Sequence, residues 1–142
     1  MKKEQLVRHE FEPVYDKNSE ILILGSFPSV KSREQGFYYG HPQNRFWKVL
    51  AAIVQEKIPD SIEEKKEMLL RNHIAVYDVI WQCKITGSSD SSIKDVVPAD
   101  ITTIVELSKI RKIYANGKLA EKLFSKYQEK KVGIKAIGLP ST

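Results

Sequence analysis

Cysteine is almost absent from this sequence, with Cys83 the only one among 142 residues. A single cysteine excludes an internal disulfide and fits a reducing compartment. The histidines and acidic residues show no zinc-ligand spacing. No apolar run approaches the roughly 20 residues that span a bilayer, and the charged start, Met-Lys-Lys-Glu, lacks the apolar segment of a signal peptide. We therefore expect one cytoplasmic domain over residues 1–142, with no metal and no membrane contact.

Common phosphate and nucleophile motifs are missing as well. Neither G-x-x-x-x-G-K-[ST] nor G-x-G-x-x-G occurs, and there is no G-x-S-x-G. Ser26 and Ser29 have His41 nearby in the sequence, but a serine and a histidine without a fixed third partner often coincide by chance, which disfavours acyl transfer. The net charge of +5 and the pI near 9.2 favour an anionic partner only weakly, because many lysines lie in mixed stretches such as residues 63–67, as on a solvated helix face.

The sequence does contain an alternation of strands and helices. Apolar segments typical of strands lie at residues 20–24, 74–80, 112–115 and 133–139. Segments with helical spacing of apolar residues lie at 44–56, 62–72, 100–109 and 119–127. Residues 1–20 are expected to form an N-terminal arm or edge element. This pattern predicts an α/β fold with a mostly parallel four-stranded sheet that helices cover on both faces.

In sheets of this kind, ligands bind beyond the carboxyl ends of the strands. The segments that follow the four predicted strands are residues 25–29 with the aromatic loop behind them, 81–92, 116–118 and 139–142. If the strands are parallel, all four segments lie on one rim. The order of elements therefore predicts a site at this rim.

The aromatic loop carries Tyr38 and Tyr39 beside Gly36, Gly40 and Pro42. Two tyrosines alone would more often cover the end of a sheet. The glycines, however, allow the loop backbone to approach a planar ligand, on which a ring stacks for about 1–3 kcal/mol per base. The composition of the loop therefore favours a binding role.

Asn44 stands at the start of a predicted helix, so capping is a strong alternative to any role in a site. Its amide could instead hold a water or the edge of a base. Phe46 and Trp47, which follow it, are expected in the core beneath the helix.

Asn116 precedes a glycine at a strand-to-helix turn, where asparagine often serves only the turn itself. Together with Lys118 it forms a helix start suited to phosphate. His9 and His73 are predicted to be structural. Asp78, near the end of the second strand, is predicted to be a buried, hydrogen-bonded carboxylate.

These residues resemble a known family. The first motif region of the uracil-DNA glycosylase superfamily is similar to two runs here, Gly25-Ser26-Phe27-Pro28-Ser29 and Phe37-Tyr38-Tyr39-Gly40-His41-Pro42-Gln43-Asn44-Arg45-Phe46-Trp47. Within the superfamily, the best match is the hypoxanthine-DNA (deoxyinosine) glycosylase family, and the mismatch-specific uracil/thymine glycosylases are also similar. The resemblance extends to residues 116–118 and 139–142.

The resemblance implies a three-layer α/β/α sandwich around a four-stranded parallel sheet. It implies a monofunctional DNA-repair enzyme that hydrolyses the N-glycosidic bond of a deaminated base, without a metal or organic cofactor. The nucleotide would flip out of double- or single-stranded DNA into a pocket. A monomer associated with the nucleoid is expected.

The resemblance also implies roles for the residues of this sequence that match the motifs of the family. Two amides, Asn44 and Asn116, would be catalytic. The base would contact Gly25, Ser26, Phe27, Pro28, Tyr39 and His41, with the ring of Tyr39 stacked on it. DNA would contact Ser29, Lys31, Ser32, Lys118, Pro140, Ser141 and Thr142.

Two departures from the family pattern matter. Phe27 stands where the mismatch-specific enzymes have a water-orienting asparagine, and the aspartate of the strong uracil enzymes is also missing. Because both residues are missing, the resemblance favours hypoxanthine over uracil as the substrate. It also moves the role of the catalytic amide to Asn44. An amide cannot take a proton, so modest rates are expected. In the family, residues 139–142 continue into Ser-Pro-Ala-Asn and a closing helix, so the loop that enters the DNA groove is expected to be incomplete.

Two other functions stay open at this point. One is a catalytically weak or inactive module of the same fold that binds nucleic acid or a purine. The other is a hydrolase of small nucleotides, which would act on free deoxyinosine but not on DNA.

Overall fold

A computed structural model describes residues 3–41, 44–86 and 90–140 of the protein. Four parallel strands form its central sheet. In spatial order they are β3 (Ile74–Asp78), β2 (Ile21–Gly25), β6 (Lys112–Asn116) and β7 (Ala136–Leu139). Every residue of β3 is buried, as its continuous apolar run requires of a strand covered on both faces. The predicted four-stranded parallel sheet is confirmed.

Helices flank this sheet close to the predicted positions. The main ones are α2 (Phe46–Val54), α3 (Ile62–Arg71), α4 (Ile101–Glu106) and α5 (Lys118–Tyr127). Ser61 caps α3 by accepting a hydrogen bond from Glu64 N, and Asp100 caps α4 in the same way from Thr103 N. Two short helices, α1 (Val30–Gln35) and α6 (Glu129–Val132), were not predicted.

A second, antiparallel sheet was also not predicted. Its strands are β1 (Glu4–Arg8), β4 (Ile80–Thr86) and β5 (Lys94–Pro98), in the order β1–β4–β5. The prediction of one strand over 74–80 followed by a rim loop over 81–92 was therefore wrong. The chain leaves the central sheet after Asp78, and residues 80–86 pair with the N-terminal arm instead. Residues 87–89 of the predicted loop lie outside the described part.

The core lies between the central sheet and its helices, where Leu22, Leu24, Val76, Ile113 and Phe124 are almost fully buried. The N-terminal arm continues from β1 along the sheet, where Val14 is buried and forms a bridge with Val76. Among the helices described, none has the length and apolar composition to cross a membrane.

Candidate active site

The carboxyl ends of the four parallel strands meet at one rim, as predicted. Gly25 ends β2 and lies opposite Asp78, which ends β3. Asn116 ends β6 and lies opposite Leu139, which ends β7. The next residue, Gly117, donates its N–H to the Leu139 carbonyl at 3.0 Å. The structure therefore brings residues 25–29, 116–118 and 139–140 together, and β4 takes the place of the fourth predicted loop.

Gly25 lies in a tightly packed environment that explains the glycine. A Cβ atom at this position would lie 2.5 Å from Asp78 Oδ1 and 3.0 Å from the Tyr39 hydroxyl oxygen. The backbone of β2 thus ends against a carboxylate from the neighbouring strand and a hydroxyl from the aromatic loop. The end of β2, the Asp78 carboxylate and the Tyr39 hydroxyl therefore meet at this point of the rim.

Tyr39 reaches this position from the aromatic loop, while Tyr38 packs into the core. The Tyr39 ring is stacked on Phe46, with ring centroids 3.9 Å apart and 14° between the planes. Burial and then the charge of Asp78 raise the pKa of the Tyr39 hydroxyl, and the nearby side-chain amide of Asn116 offsets this only in part. The hydroxyl of Tyr38 instead donates to the Glu12 carbonyl at 2.9 Å.

The Tyr39 hydroxyl lies against Gly25, so the Tyr39 side chain itself fills the space between its loop and the turn that follows Gly25. Phe46 also lines an apolar cavity of about 370 Å³. Its lining includes Arg45, Phe46, Val49, Asn116, Leu139 and Pro140. This cavity and the Tyr39 ring share Phe46 as a wall, and Asn116 borders both.

Asn44 accepts a backbone hydrogen bond at the start of α2, close to its alternative interpretation, although the N-cap position itself is occupied by Arg45. Its Oδ1 accepts a hydrogen bond from Phe46 N at 2.8 Å, at the start of α2. Only an oxygen can accept from a backbone N–H, so this bond fixes the orientation of the amide. The Nδ2 group of the half-buried Asn44 is therefore the end that can donate to another partner.

The residues after Gly25 form a compact turn that leads into α1. Ser26 and Phe27 are half-buried and Pro28 is buried. Ser29 caps α1 by accepting from Ser32 N at 3.1 Å.

Ser32 is buried, and its hydroxyl accepts from Gly40 N at 2.8 Å, which ties α1 to the aromatic loop. Its burial is at odds with the predicted DNA contact, because no phosphate can reach the hydroxyl of a fully covered side chain. The side chain of Lys31 is not among those described.

The remaining predicted contacts lie on the surface of the rim. His41 and Lys118 are exposed, and Pro140 borders the cavity. Pro42 and Gln43 of the motif, and the predicted DNA contacts Ser141 and Thr142, lie outside the described residues.

Two arginines at the rim were missed by the sequence interpretation. The Arg33 guanidinium lies 5.7 Å from the centre of the Phe27 ring, and its buried Nε has no hydrogen-bond partner among the described residues. Arg33 and Arg8 line a second cavity of about 300 Å³, to which Glu10 contributes one carboxylate. The signal was present in the basic residues of 31–33, but nothing in the sequence indicated that β1 lies beside them.

His9 and Asp78 form a buried pair at the same rim. His9 Nε2 lies 2.7 Å from Asp78 Oδ2. The predictions of a structural His9 and a buried, hydrogen-bonded Asp78 agree with this contact. Within the described part of the chain, no group of three or more histidine, cysteine, aspartate or glutamate side chains could hold a metal ion.

Comparison with known proteins gives a consistent result. The sequence matches the Uracil DNA glycosylase superfamily over residues 12–141. A hypoxanthine DNA glycosylase of Methanosarcina acetivorans is 38% identical over 117 residues, which are 81% of this chain and 74% of that protein. One of Methanosarcina barkeri is 37% identical over 110 residues, 76% of this chain and 70% of that protein.

A solution NMR structure from Methanosarcina acetivorans, of a protein provisionally named a uracil DNA glycosylase, has the same fold. Its TM-score is 0.83 at 34% sequence identity, and the match covers 96% of this chain and 84% of that one. The sequence match, the identities above 30% and the shared parallel sheet all lead to the same assignment. The chain belongs to the uracil-DNA glycosylase superfamily.

Proposed function

We propose that this protein is a monofunctional DNA glycosylase that hydrolyses the N-glycosidic bond of a deaminated base. The main substrate that we propose is hypoxanthine in deoxyinosine, and uracil is a minor one. The observation that carries it is the identity of 37–38% to two proteins named hypoxanthine DNA glycosylase, combined with the convergence of Tyr39, Asn116 and the residue 25–29 turn at one rim. The similarity to relatives named as glycosylases disfavours a binding module without catalysis.

In the proposed complex, the flipped base lies in the region around Phe46 and Asn116. A cavity of about 370 Å³ is in the range of small-molecule sites, and its apolar walls suit a flipped purine. Tyr39 would stack on the base after a shift of its ring away from Gly25. The amide of Asn116 would then face the polar edge of the base.

The chemistry follows from the kinds of group present. Breakage of the C1′–N9 bond leaves a cationic sugar and an anionic purine, so donors aimed at the purine stabilise the transition state. Because Oδ1 of Asn44 already accepts from Phe46 N, Asn44 would act through its Nδ2 as a hydrogen-bond donor. Neither asparagine can remove a proton from water, which fits a slow enzyme.

DNA binding is assigned to the exposed edge of the same rim. Lys118 and Ser29 are exposed there, and Lys31, Pro140, Ser141 and Thr142 follow in the proposal from their motif positions. We add Arg33 and Arg8, whose guanidinium groups line a cavity suited to a phosphate. The proposed enzyme acts as a monomer at the nucleoid.

The test is mass spectrometry of the free base released from matched duplexes that contain deoxyinosine, deoxyuridine or neither. Alkaline cleavage of the same duplexes measures the abasic sites. Release of hypoxanthine, with less uracil and nothing from the control duplex, is the expected result. Tight, salt-sensitive binding without release would support the binding module, and activity on free deoxyinosine alone would support a nucleotide hydrolase.

A further inference from the structure

His9 and Asp78 form a buried, hydrogen-bonded pair at the rim, and the proposed function assigns no part to this pair. His9 Nε2 lies 2.7 Å from Asp78 Oδ2, and the exposed fractions of the two side chains are 0% and 5%. His9 Nδ1 lies 2.9 Å from the carbonyl oxygen of Phe11. The pair joins the N-terminal arm to the end of β3.

These two contacts determine where the protons are. The Phe11 carbonyl can only accept, so Nδ1 of His9 carries a hydrogen. Nε2 then faces a carboxylate oxygen, and a proton must lie between them. The arrangement fits an imidazolium beside an ionised carboxylate, because buried charges persist when they are paired and hydrogen-bonded.

Aromatic rings hold the imidazole in this position. The ring centroid of His9 lies 4.6 Å from that of Phe11, 4.9 Å from Tyr77, 5.7 Å from Tyr38 and 6.1 Å from Phe27. Apolar surroundings exclude water and strengthen the attraction between the two charges. The carboxylate therefore has a fixed position and orientation.

The other carboxylate oxygen packs against the glycine from which the motif turn begins. Asp78 Oδ1 is the closest atom to the position that a Cβ of Gly25 would occupy, at 2.5 Å, and the Tyr39 hydroxyl oxygen is next at 3.0 Å. Asp78 also acts electrostatically on Tyr39, raising the pKa of its hydroxyl. The pair thus presents its negative end to Gly25 and Tyr39, with the positive end of His9 behind it.

The turn after Gly25 contains no acidic residue in its sequence Ser-Phe-Pro-Ser. A transition state with a cationic sugar is stabilised by a nearby carboxylate. Among the described residues around Gly25, Asp78 is the carboxylate that approaches the turn.

We propose that Asp78, held in place by His9, supplies the negative charge that stabilises the cationic sugar during base excision. This role rests on the proposed glycosylase function. As the C1′–N9 bond breaks, its electron pair leaves with the purine and the sugar becomes positive. Water then forms the C1′–O bond, and the proton that it loses reaches the purine nitrogen through solvent. Asp78 acts by its charge and His9 is a positioning residue, so neither is consumed.

Other titratable groups near the pair do not replace it. Tyr38, Tyr39 and Tyr77 face Asp78, and burial keeps them in the neutral form by raising the pKa of each hydroxyl, that of Tyr77 to about 12. Glu12 on the arm acts on Tyr38 and Tyr77 and adds a second negative charge. Within this group, His9 is the side chain whose ring nitrogen is paired with the Asp78 carboxylate.

The experiment compares Asp78→Asn with the unaltered protein in single-turnover excision from a deoxyinosine duplex. Asparagine keeps the shape and removes the charge, so the excision rate should fall roughly 100-fold, the scale for loss of one preorganised electrostatic partner. DNA affinity should change less than threefold. His9→Gln should lower the single-turnover rate less than Asp78→Asn does, again with DNA affinity within threefold, because the carboxylate remains but is held less firmly. Asp100→Asn, at the start of α4, is the matched control and should leave the rate unchanged.

A second measurement uses the unaltered protein, in case a variant fails to fold. The ¹⁵N NMR shifts of the His9 ring at neutral pH should show a hydrogen on both nitrogens. An Nε2 without a hydrogen would overturn the ion pair. An Asp78→Asn rate within threefold of the unaltered rate would overturn the catalytic role while leaving the proposed function intact. Failure of the unaltered protein to release any base would overturn the proposed function and this role with it.

Discussion

The ring of Tyr39 lies flat on the ring of Phe46, with 3.9 Å between their centroids. Tyr39 has a φ angle of +53°, which a bulky residue rarely adopts. The backbone N–H of the same Phe46 donates a hydrogen bond to Asn44 Oδ1. The first turn of α2 therefore fixes the positions of two residues assigned to the site.

Replacement of Tyr39 should separate the role of its ring from that of its hydroxyl. Tyr39→Ala removes the stacking surface and should lower the rate of hypoxanthine excision at subsaturating enzyme by about 5- to 100-fold, the equivalent of about 1–3 kcal/mol of base stacking. Tyr39→Phe keeps the ring and should stay within about fivefold. Single-turnover kinetics on a deoxyinosine duplex measure both. Equal losses in the two variants would assign the effect to the hydroxyl instead.

Asn44 can be tested for capping and catalysis separately. Asn44→Ala removes the cap and should lower the free energy of unfolding by about 1 kcal/mol, in addition to reducing excision. Asn44→Asp keeps an oxygen for Phe46 N but removes the Nδ2 donor, so stability should remain while excision is lost. Urea denaturation and base release are measured on the same preparations. An active Asn44→Asp variant would restrict Asn44 to capping.

Gly25 should tolerate no side chain. Gly25→Ala would push a methyl group into the Asp78 carboxylate, which His9 holds in place, and should cost about 1–3 kcal/mol of stability. Gly138→Ala is the matched control on β7. Its Cβ would meet only the carboxylate end of Glu121, a half-buried side chain that can rotate away. Thermal unfolding of the two variants should show a much larger loss for Gly25→Ala, and equal losses would contradict this account of the glycine.

The α4 cap should make stability depend on acid pH. The Thr103 hydroxyl and then its backbone N–H hold the pKa of Asp100 below its usual value. A carboxylate with a lowered pKa stabilises the fold above its unfolded-state pKa of about 3.9 and loses that contribution as the pH falls through the lower folded-state pKa. The stability difference between the unaltered protein and Asp100→Ala should be about 1 kcal/mol at pH 7 and shrink below about pH 4. Urea denaturation from pH 2.5 to 7 measures this stability difference. A difference that does not change with pH would show that the charge of Asp100 does not contribute to it.

Arg33 should contribute to the salt dependence of DNA binding. If its guanidinium contacts a phosphate, Arg33→Gln should reduce the slope of log K against log salt by about 1 without changing single-turnover excision at saturating enzyme. Arg111→Gln is the control, because Arg111 immediately precedes β6, at the amino ends of the parallel strands and away from the rim, and lies near Glu20. Fluorescence anisotropy at several salt concentrations gives both slopes, and identical slopes would remove Arg33 from the DNA interface.

The elements that the sequence predicted well are those with local signals. The apolar run of β2 and the helical spacing of α2 and α3 depend on neighbouring residues, and all three elements lie within a few positions of their predicted bounds. The strands of the central sheet follow from that alternation, so its parallel order could be predicted as well.

The features that were missed depend on distant pairings. Strand β1 pairs with β4 across more than 70 residues, for example through Arg8 opposite Gln82. The pattern of residues within either segment does not indicate which strand it pairs with. The same holds for His9, which was predicted to be structural, and Asp78, which was predicted to be buried and hydrogen-bonded, because the sequence did not indicate that they are neighbours at the rim. The turn of the Tyr39 ring onto Phe46 depends on one positive φ angle, which the sequence does not specify.

The ladder between β1 and β4 has a consequence for the N-terminal arm. It continues one step past Arg8, where His9 N donates to the Trp81 carbonyl at 2.7 Å, and this places the imidazole beside Asp78. Neighbouring residues of a strand face opposite sides, so a slip of one position would direct Arg8 or Glu10 toward the carboxylate instead. Trimming the first ten residues, or altering their alignment with a fused tag, would thus remove the counter-ion of a rim carboxylate as well as an edge strand.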